Sequence, residues 1–169
     1  MLYSGFVRLA TCLALDEVPT FRRLRGFCYG LAMPRCGSNF QVSSNTILWG
    51  LEHLHVGDNV YLGPGVVIIC LDRVSIGDGV LFGPGVVVSN GNHAFRDGAY
   101  QFGEHIARPV KIGAGSWIGA NATLLAGVSI GRGVLVGANA AVTRDVEDGD
   151  VVGGVPARSL RVARVGAPA

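Results

Sequence analysis

Along the middle of the chain an apolar residue followed directly by glycine keeps returning: Val56-Gly57, Leu62-Gly63, Ile76-Gly77, Phe82-Gly83, Ile112-Gly113, Ile118-Gly119, Ile130-Gly131 and Val136-Gly137. The spacings are 6, 14, 6, 30, 6, 12 and 6, and Ile68, Val88, Leu124 and Val142 fill most of the gaps in a period of six. The spacing of 14 is two such units plus two extra residues. Four positions after each apolar residue comes a second small or apolar one: Val60, Val66, Val80, Val86, Ser116, Ala122, Val128, Val134 and Ala140. Two inward positions per six residues describe one short strand and one turn. Such a unit cannot bury its inner face alone, so successive units must wrap into a coil and stack.

Three units make one triangular coil. Coils then begin near Cys36, Val56, Ile76, Ile112 and Ile130, which predicts about five coils and, at ~4.8 Å per rung, a stack roughly 24 Å tall. An amphipathic helix is excluded because Gly and Pro recur too often and the period is six rather than 3.6. The predicted fold is all-β, a parallel β-helix over 36–150. It carries an excursion over 89–111, a helical segment within 1–35 ahead of it, and a closing segment and tail over 151–169. Residues 4–15 and 20–33 read as helices, with Pro19 and Pro34 as punctuation. Arg22, Arg23 and Arg25 stand beside Phe21, Leu24, Phe27 and Tyr29 on the second. We expect these arginines on a solvated face of a helix packed on the coils, with contact to a membrane surface as the lesser reading.

The first two coils are 20 residues long, so each carries two extra residues at one corner. Adding 20 places Glu52, Asp72 and Asn92 in one column and His53, Arg73 and His93 in the next. His93, in Ser89-Asn90-Gly91-Asn92-His93-Ala94, stands at the root of the excursion, where a group raised off a rigid scaffold is placed to act on a ligand.

Composition narrows the partners. The net charge is +2 with no basic cluster, so nucleic acid is not an expected partner. No apolar run approaches the ~20 residues a membrane-spanning helix needs. Cys12, Cys28, Cys36 and Cys70 form no Cys-x-x-Cys pair and read as buried free thiols. The first residues lack a small-residue cleavage site after an apolar stretch, so a cytoplasmic location is expected.

The chain resembles the hexapeptide-repeat acyltransferases, within them the maltose and galactoside O-acetyltransferases and those of surface polysaccharide synthesis. The resemblance rests on Asn92-His93, on Pro109-Val110-Lys111-Ile112-Gly113 leading into Trp117-Ile118-Gly119-Ala120-Asn121, and on Gly127-Val128. Gly137-Ala138 with Val142-Thr143-Arg144-Asp145, and Gly154-Val155-Pro156-Ala157-Arg158, complete it. It implies a left-handed coil, a homotrimer, acetyl-CoA as co-substrate in a groove between subunits, no metal, and a sugar or glycan-precursor hydroxyl as acceptor. It makes His93 the general base and the backbone N–H of Ala120 the oxyanion donor. Trp117, Ala138, Thr143, Arg144, Arg158 and Arg161 would hold the cofactor, and Asp72 and Glu104 the acceptor, joined by Arg73 and Asn92 from the polar columns at the same corner. The chemistry suits an imidazole, which titrates near 6.5 and as a base gains a rate about 10²- to 10⁴-fold. One departure touches the acceptor: Gly63 to Gly65 stand where the sugar enzymes carry a binding Asn.

Three other readings compete. An N-acetyltransferase of an amino sugar or nucleotide-amino sugar differs only in acceptor. A γ-type carbonic anhydrase needs three converging histidines, and His53, His55, His93 and His105 lack that spacing. A non-enzymatic scaffold would bind no CoA.

Overall fold

The computed structural model describes residues 18–160; the helix expected over 4–15, Cys12 and Arg161 lie outside them. The chain forms a left-handed parallel β-helix whose three faces are parallel sheets. Face one stacks Arg35–Cys36, Leu54–Val56, Val74–Ile76, Val110–Ile112 and Ser129–Ile130. Face two stacks Gln41–Val42, Tyr61–Leu62, Leu81–Phe82, Trp117–Ile118, Leu135–Val136 and Val151–Gly153, and face three Ile47–Trp49, Val67–Ile69, Val87–Ser89, Thr123–Leu124 and Ala141–Val142. Val146 bridges to Ile130 and Val151–Gly153 pairs with Leu135–Val136. The stack therefore runs to about six turns, the last incomplete, one more than the expected five. Sequence alone missed it because residues 143–150 break the six-residue period.

Both inward positions of each unit are buried, from Val56, Val60 and Leu62 up to Val136, Ala140 and Val142. Polar Ser116 fits the same column because its Oγ donates to the Gly131 carbonyl at 2.9 Å and accepts the Val134 N–H at 3.1 Å. Corner glycines are required by the stacking distance. A Cβ on Gly57 would lie 2.8 Å from the Asp78 nitrogen on the next coil, closer than any real contact. Asp side chains cap the turns between faces one and two, Asp58 taking the Ser38 N–H at 2.6 Å and Asp78 the Asp58 N–H at 2.9 Å.

The helix α1 spans Pro19–Gly30, ending three residues before the expected boundary. Its arginines do not all stand on a solvated face: Arg23 is exposed, Arg22 half-buried and Arg25 buried. Arg25 is 2% exposed and donates to the Val42 carbonyl at 3.2 Å. Arg23 donates to Asn39 Oδ1 at 2.9 Å, and the Arg22 guanidinium lies 5.6 Å from the centroid of the Tyr61 ring. The lowest coil ends in carbonyls with no coil beneath them, and guanidinium groups supply donors that aliphatic residues cannot. Leu24, Phe27 and Leu31 point outward instead. No helix among the described residues is long and apolar enough to cross a membrane.

Of the described cysteines, Cys28 and Cys70 are buried and Cys36 is half-buried. Burial, reinforced by the charge of Glu52, pushes the Cys70 thiol up to about 12.

Candidate functional site

The extra residues of the first two coils fall at the corner between faces three and one, as the 20-residue spacing implies, where Leu51–His53 forms a single 3-10 turn. On the third coil the chain leaves this corner after Asn90 and rises as an antiparallel hairpin, Gly91–Arg96 against Ala99–Ala107. It returns at Arg108, and Val110 pairs with Val74. The column predicted from spacing is thereby corrected. Pro109 and Arg108 continue the columns of Arg73 and Asp72, while Asn92 and His93 climb the hairpin opposite Ile106 and His105. A fixed offset holds only while every coil has equal length, and the hairpin is where that fails.

Asn90 is the residue that sequence reasoning passed over. It is 0% exposed. Its Oδ1 accepts the Leu71 N–H at 2.8 Å and the Asp72 N–H at 3.4 Å, its Nδ2 donates to the Asp72 carbonyl, and its own carbonyl accepts the Arg108 N–H at 2.9 Å. One residue thus ties the coil below to the hairpin root through its side-chain amide and holds the returning limb through its backbone carbonyl. The available signal was a polar amide at the last inward position before the excursion. Asp72 lends its backbone to this clamp and turns its carboxylate onto the Arg73 N–H at 2.6 Å.

His93 is exposed on the first strand of the hairpin. Its Nδ1 lies 3.1 Å from the Gln101 carbonyl oxygen, and its ring packs against that of His105 with centroids 4.9 Å apart. A carbonyl oxygen only accepts, so the neutral imidazole carries its proton on Nδ1 and leaves the Nε2 lone pair available. Glu104 does not orient this ring through a hydrogen bond; its carboxylate pairs with Arg96 at 3.4 Å, both exposed.

Ala120 stands at the corner between faces two and three. Pro64, Pro84, Ala120 and Ala138 form one column there: Asn121 N–H donates to the Pro84 carbonyl at 2.8 Å and Asn139 N–H to that of Ala120 at 2.9 Å. The prolines have no N–H, and those of Ala120 and Ala138 donate to nothing among the described residues. Two backbone donors about 4.8 Å apart therefore face outward. Beside them Tyr61, Leu81, Trp117, Leu135 and Val151 form an outward ladder on face two, with Trp117 53% exposed. An apolar wall edged by amide donors suits a thin chain containing amides. Thr143 is exposed one position beyond Ala141–Val142. Arg144 and Arg158 meet in a cleft of about 230 Å³ at the top of the stack, shared with Asp145, Glu147 and Asp150; there Arg158 donates to the Ala157 carbonyl at 2.9 Å.

In one chain His93 and Ala120 occupy different corners. Pro84, below Ala120, and Asn90 at the hairpin root are six positions apart, a span of up to about 20 Å along face three. Among the described residues no group of three or more His, Cys, Asp or Glu is placed to hold a metal ion.

A profile of the bacterial transferase hexapeptide (six repeats) matches residues 109–144. Nodulation protein L of Rhizobium meliloti is 62% identical over 58 residues, 34% of this chain and 32% of that protein, so the match spans about a third of the relative's length. The structure is similar to a hexapeptide-repeat containing acetyltransferase of Vibrio cholerae, with a TM-score of 0.82 and 29% identity over 94% of this chain and 87% of that one. That protein has also been solved with acetyl coenzyme A, at a TM-score of 0.76 and 27% identity over 96% and 86%. A maltose O-acetyltransferase of Clostridium difficile aligns with a TM-score of 0.81 and 26% identity over 94% and 83%. The repeat over residues 109–144, the coil and these likenesses agree: the chain carries the bacterial transferase hexapeptide repeat on the fold of the hexapeptide-repeat acetyltransferases.

Proposed function

We propose that the protein is an acyltransferase that moves an acetyl group from acetyl-CoA to a hydroxyl of a sugar or polysaccharide precursor, with His93 as general base. The observation that carries this reading is the contact of His93 Nδ1 with the Gln101 carbonyl, which leaves Nε2 free to take a proton from an attacking alcohol. Attack of that oxygen on the thioester carbonyl builds an oxyanion, and the unspent N–H of Ala120 is a donor for it. Collapse expels the CoA thiolate, which takes up the proton held by the imidazole.

The ladder through Trp117 supplies the wall for the pantetheine arm, Ala138 and Thr143 its polar edge, and Arg144 and Arg158 positive charge for the phosphates at the far end. Arg161 has the same assigned role but lies outside the described residues. Asp72 and Arg73 on the coil below the hairpin, with Asn92 and Glu104 on its two strands, are the acceptor contacts of this reading. Because His93 and Ala120 are a face apart in one chain, the site closes only when face three of one copy meets the next. Ile47 and Trp49, exposed on that face, favour such an assembly, a homotrimer. Trimer, acceptor and residue roles all belong to the proposal.

The test is release of free thiol from acetyl-CoA across a panel of sugars, oligosaccharides and amino sugars. Hydroxyl acceptors should support turnover. Thiol release only with amines would move the activity to N-acetylation, and none with any acceptor would end the reading.

A further inference from the structure

Face one carries a groove of which only Arg73 has a part in the acetyl-transfer reading. Outward residues Arg35, His55, Ser75, Lys111 and Ser129 lie in register on successive rungs. Arg35, His55, Ser75 and Lys111, with Arg73 and Arg132, border a depression of about 470 Å³. Arg35, Arg73, Lys111 and Arg132 line it against one carboxylate, Asp78, whose Oδ1 is engaged by the Asp58 N–H at 2.9 Å. Four minus one leaves an excess of +3 in this groove, larger than the +2 of the whole chain. None of the four cations forms an ion pair among the described residues. The positive field is felt locally: burial, then Arg73 and Arg35, holds His55 below its ordinary value.

The groove also touches the candidate site. Val110 N–H donates to the Arg73 carbonyl at 3.0 Å, and Lys111 follows in the strand to which the hairpin returns. From Arg35 to Lys111 is three rungs, about 14 Å. Hydroxyls of Ser75 and Ser129 lie in the same outward column as the cations. That combination suits an extended polyhydroxylated chain bearing several negative groups better than one small anion.

We propose that this groove binds an acidic oligosaccharide, with carboxylate or phosphate groups on successive sugars, as the acceptor that presents its hydroxyl to His93. The proposal rests on the acetyl-transfer reading for its last step but not for binding.

Binding and transfer are therefore measured separately. Calorimetry on the full chain at about 50 mM and about 500 mM salt, where screening shortens the reach of charge severalfold, uses an oligouronate, a phosphorylated oligosaccharide and their neutral counterpart. At least one acidic glycan is expected to bind 10-fold or more tighter than the neutral one, with the gap narrowing in high salt; which one identifies the anion. Lys111→Gln combined with Arg132→Gln, both exposed, should lower that affinity 10-fold or more, and circular dichroism with a CoA thermal shift checks that the variant is folded. Equal affinity for charged and neutral glycans overturns the proposal, as does binding only to anionic phospholipid vesicles. The thiol-release assay with the same glycans should favour the acidic one in kcat/KM. Tight anionic binding with turnover only on neutral glycans overturns the acceptor role while leaving acetyl transfer intact.

Discussion

The Nδ1 of His93 faces the backbone carbonyl of Gln101 at 3.1 Å, across a hairpin whose turn is held by the Gln101 side chain donating to the carbonyls of Arg96 and Ala99. A backbone partner fixes the tautomer without placing a second charge on the ring. His93→Ala is expected to lower kcat by about 10²-fold or more, while CoA affinity by calorimetry stays close to that of the parent. Parental turnover would remove His93 from the role of base.

The column of Pro64, Pro84 and Ala120 offers a substitution that deletes one hydrogen atom's worth of chemistry. Gly63-Pro64 and Gly83-Pro84 show that proline fits this turn after a glycine, and Gly119 precedes Ala120. Ala120→Pro should keep the fold, with stability unchanged or raised by about 0.4–1 kcal/mol, yet lower kcat about 10²- to 10³-fold through loss of an oxyanion donor. Ala120→Ser, which keeps the N–H, should retain activity. Equal kcat for the two variants would count against the donor.

Asn90→Ala takes away the acceptor of the Leu71 N–H at a fully buried position. The expected cost is about 1–3 kcal/mol in urea unfolding. Because the same amide anchors the hairpin root, kcat should fall while CoA binding changes little. A stability loss with full activity would make Asn90 merely structural.

His55 gives a pH dependence with a defined sign. Burial first, then the charges of Arg73 and Arg35, lowers its pKa in the folded protein. The unfolded chain takes up that proton near pH 6.5, the folded chain only at lower pH. Stability is therefore retained above about 6.5 and lost as pH falls through the folded value. In His55→Gln the decline of Tm between about pH 7 and pH 5 should be shallower than in the parent. An identical slope would assign the acid sensitivity elsewhere.

The coil was legible because each six-residue unit must bury the same two positions, so Val56, Val60, Leu62 and Val66 announce the geometry themselves. The hairpin was not. Residues 91–107 repeat nothing, and pairing His93 with His105 depends on where the Asn90 clamp releases the chain. Charge usually seeks water, and Arg23 on α1 does so, whereas the uncapped carbonyl of Val42 draws Arg25 inward. His93 was picked out through its place on the chain, but its tautomer required the Gln101 carbonyl to be seen.

Arg158–Ser159 runs antiparallel along Val151–Gly153, at the edge of face two opposite α1. A parallel ladder left open at its last rung would invite another molecule to dock end to end, since both would share one cross-section and one set of unmet amides. The reversed strand denies that template, and α1 obstructs the other end. Ends capped in this way disfavour end-to-end growth, and cutting the chain after Gly153 should turn it toward concentration-dependent polymerisation visible by light scattering.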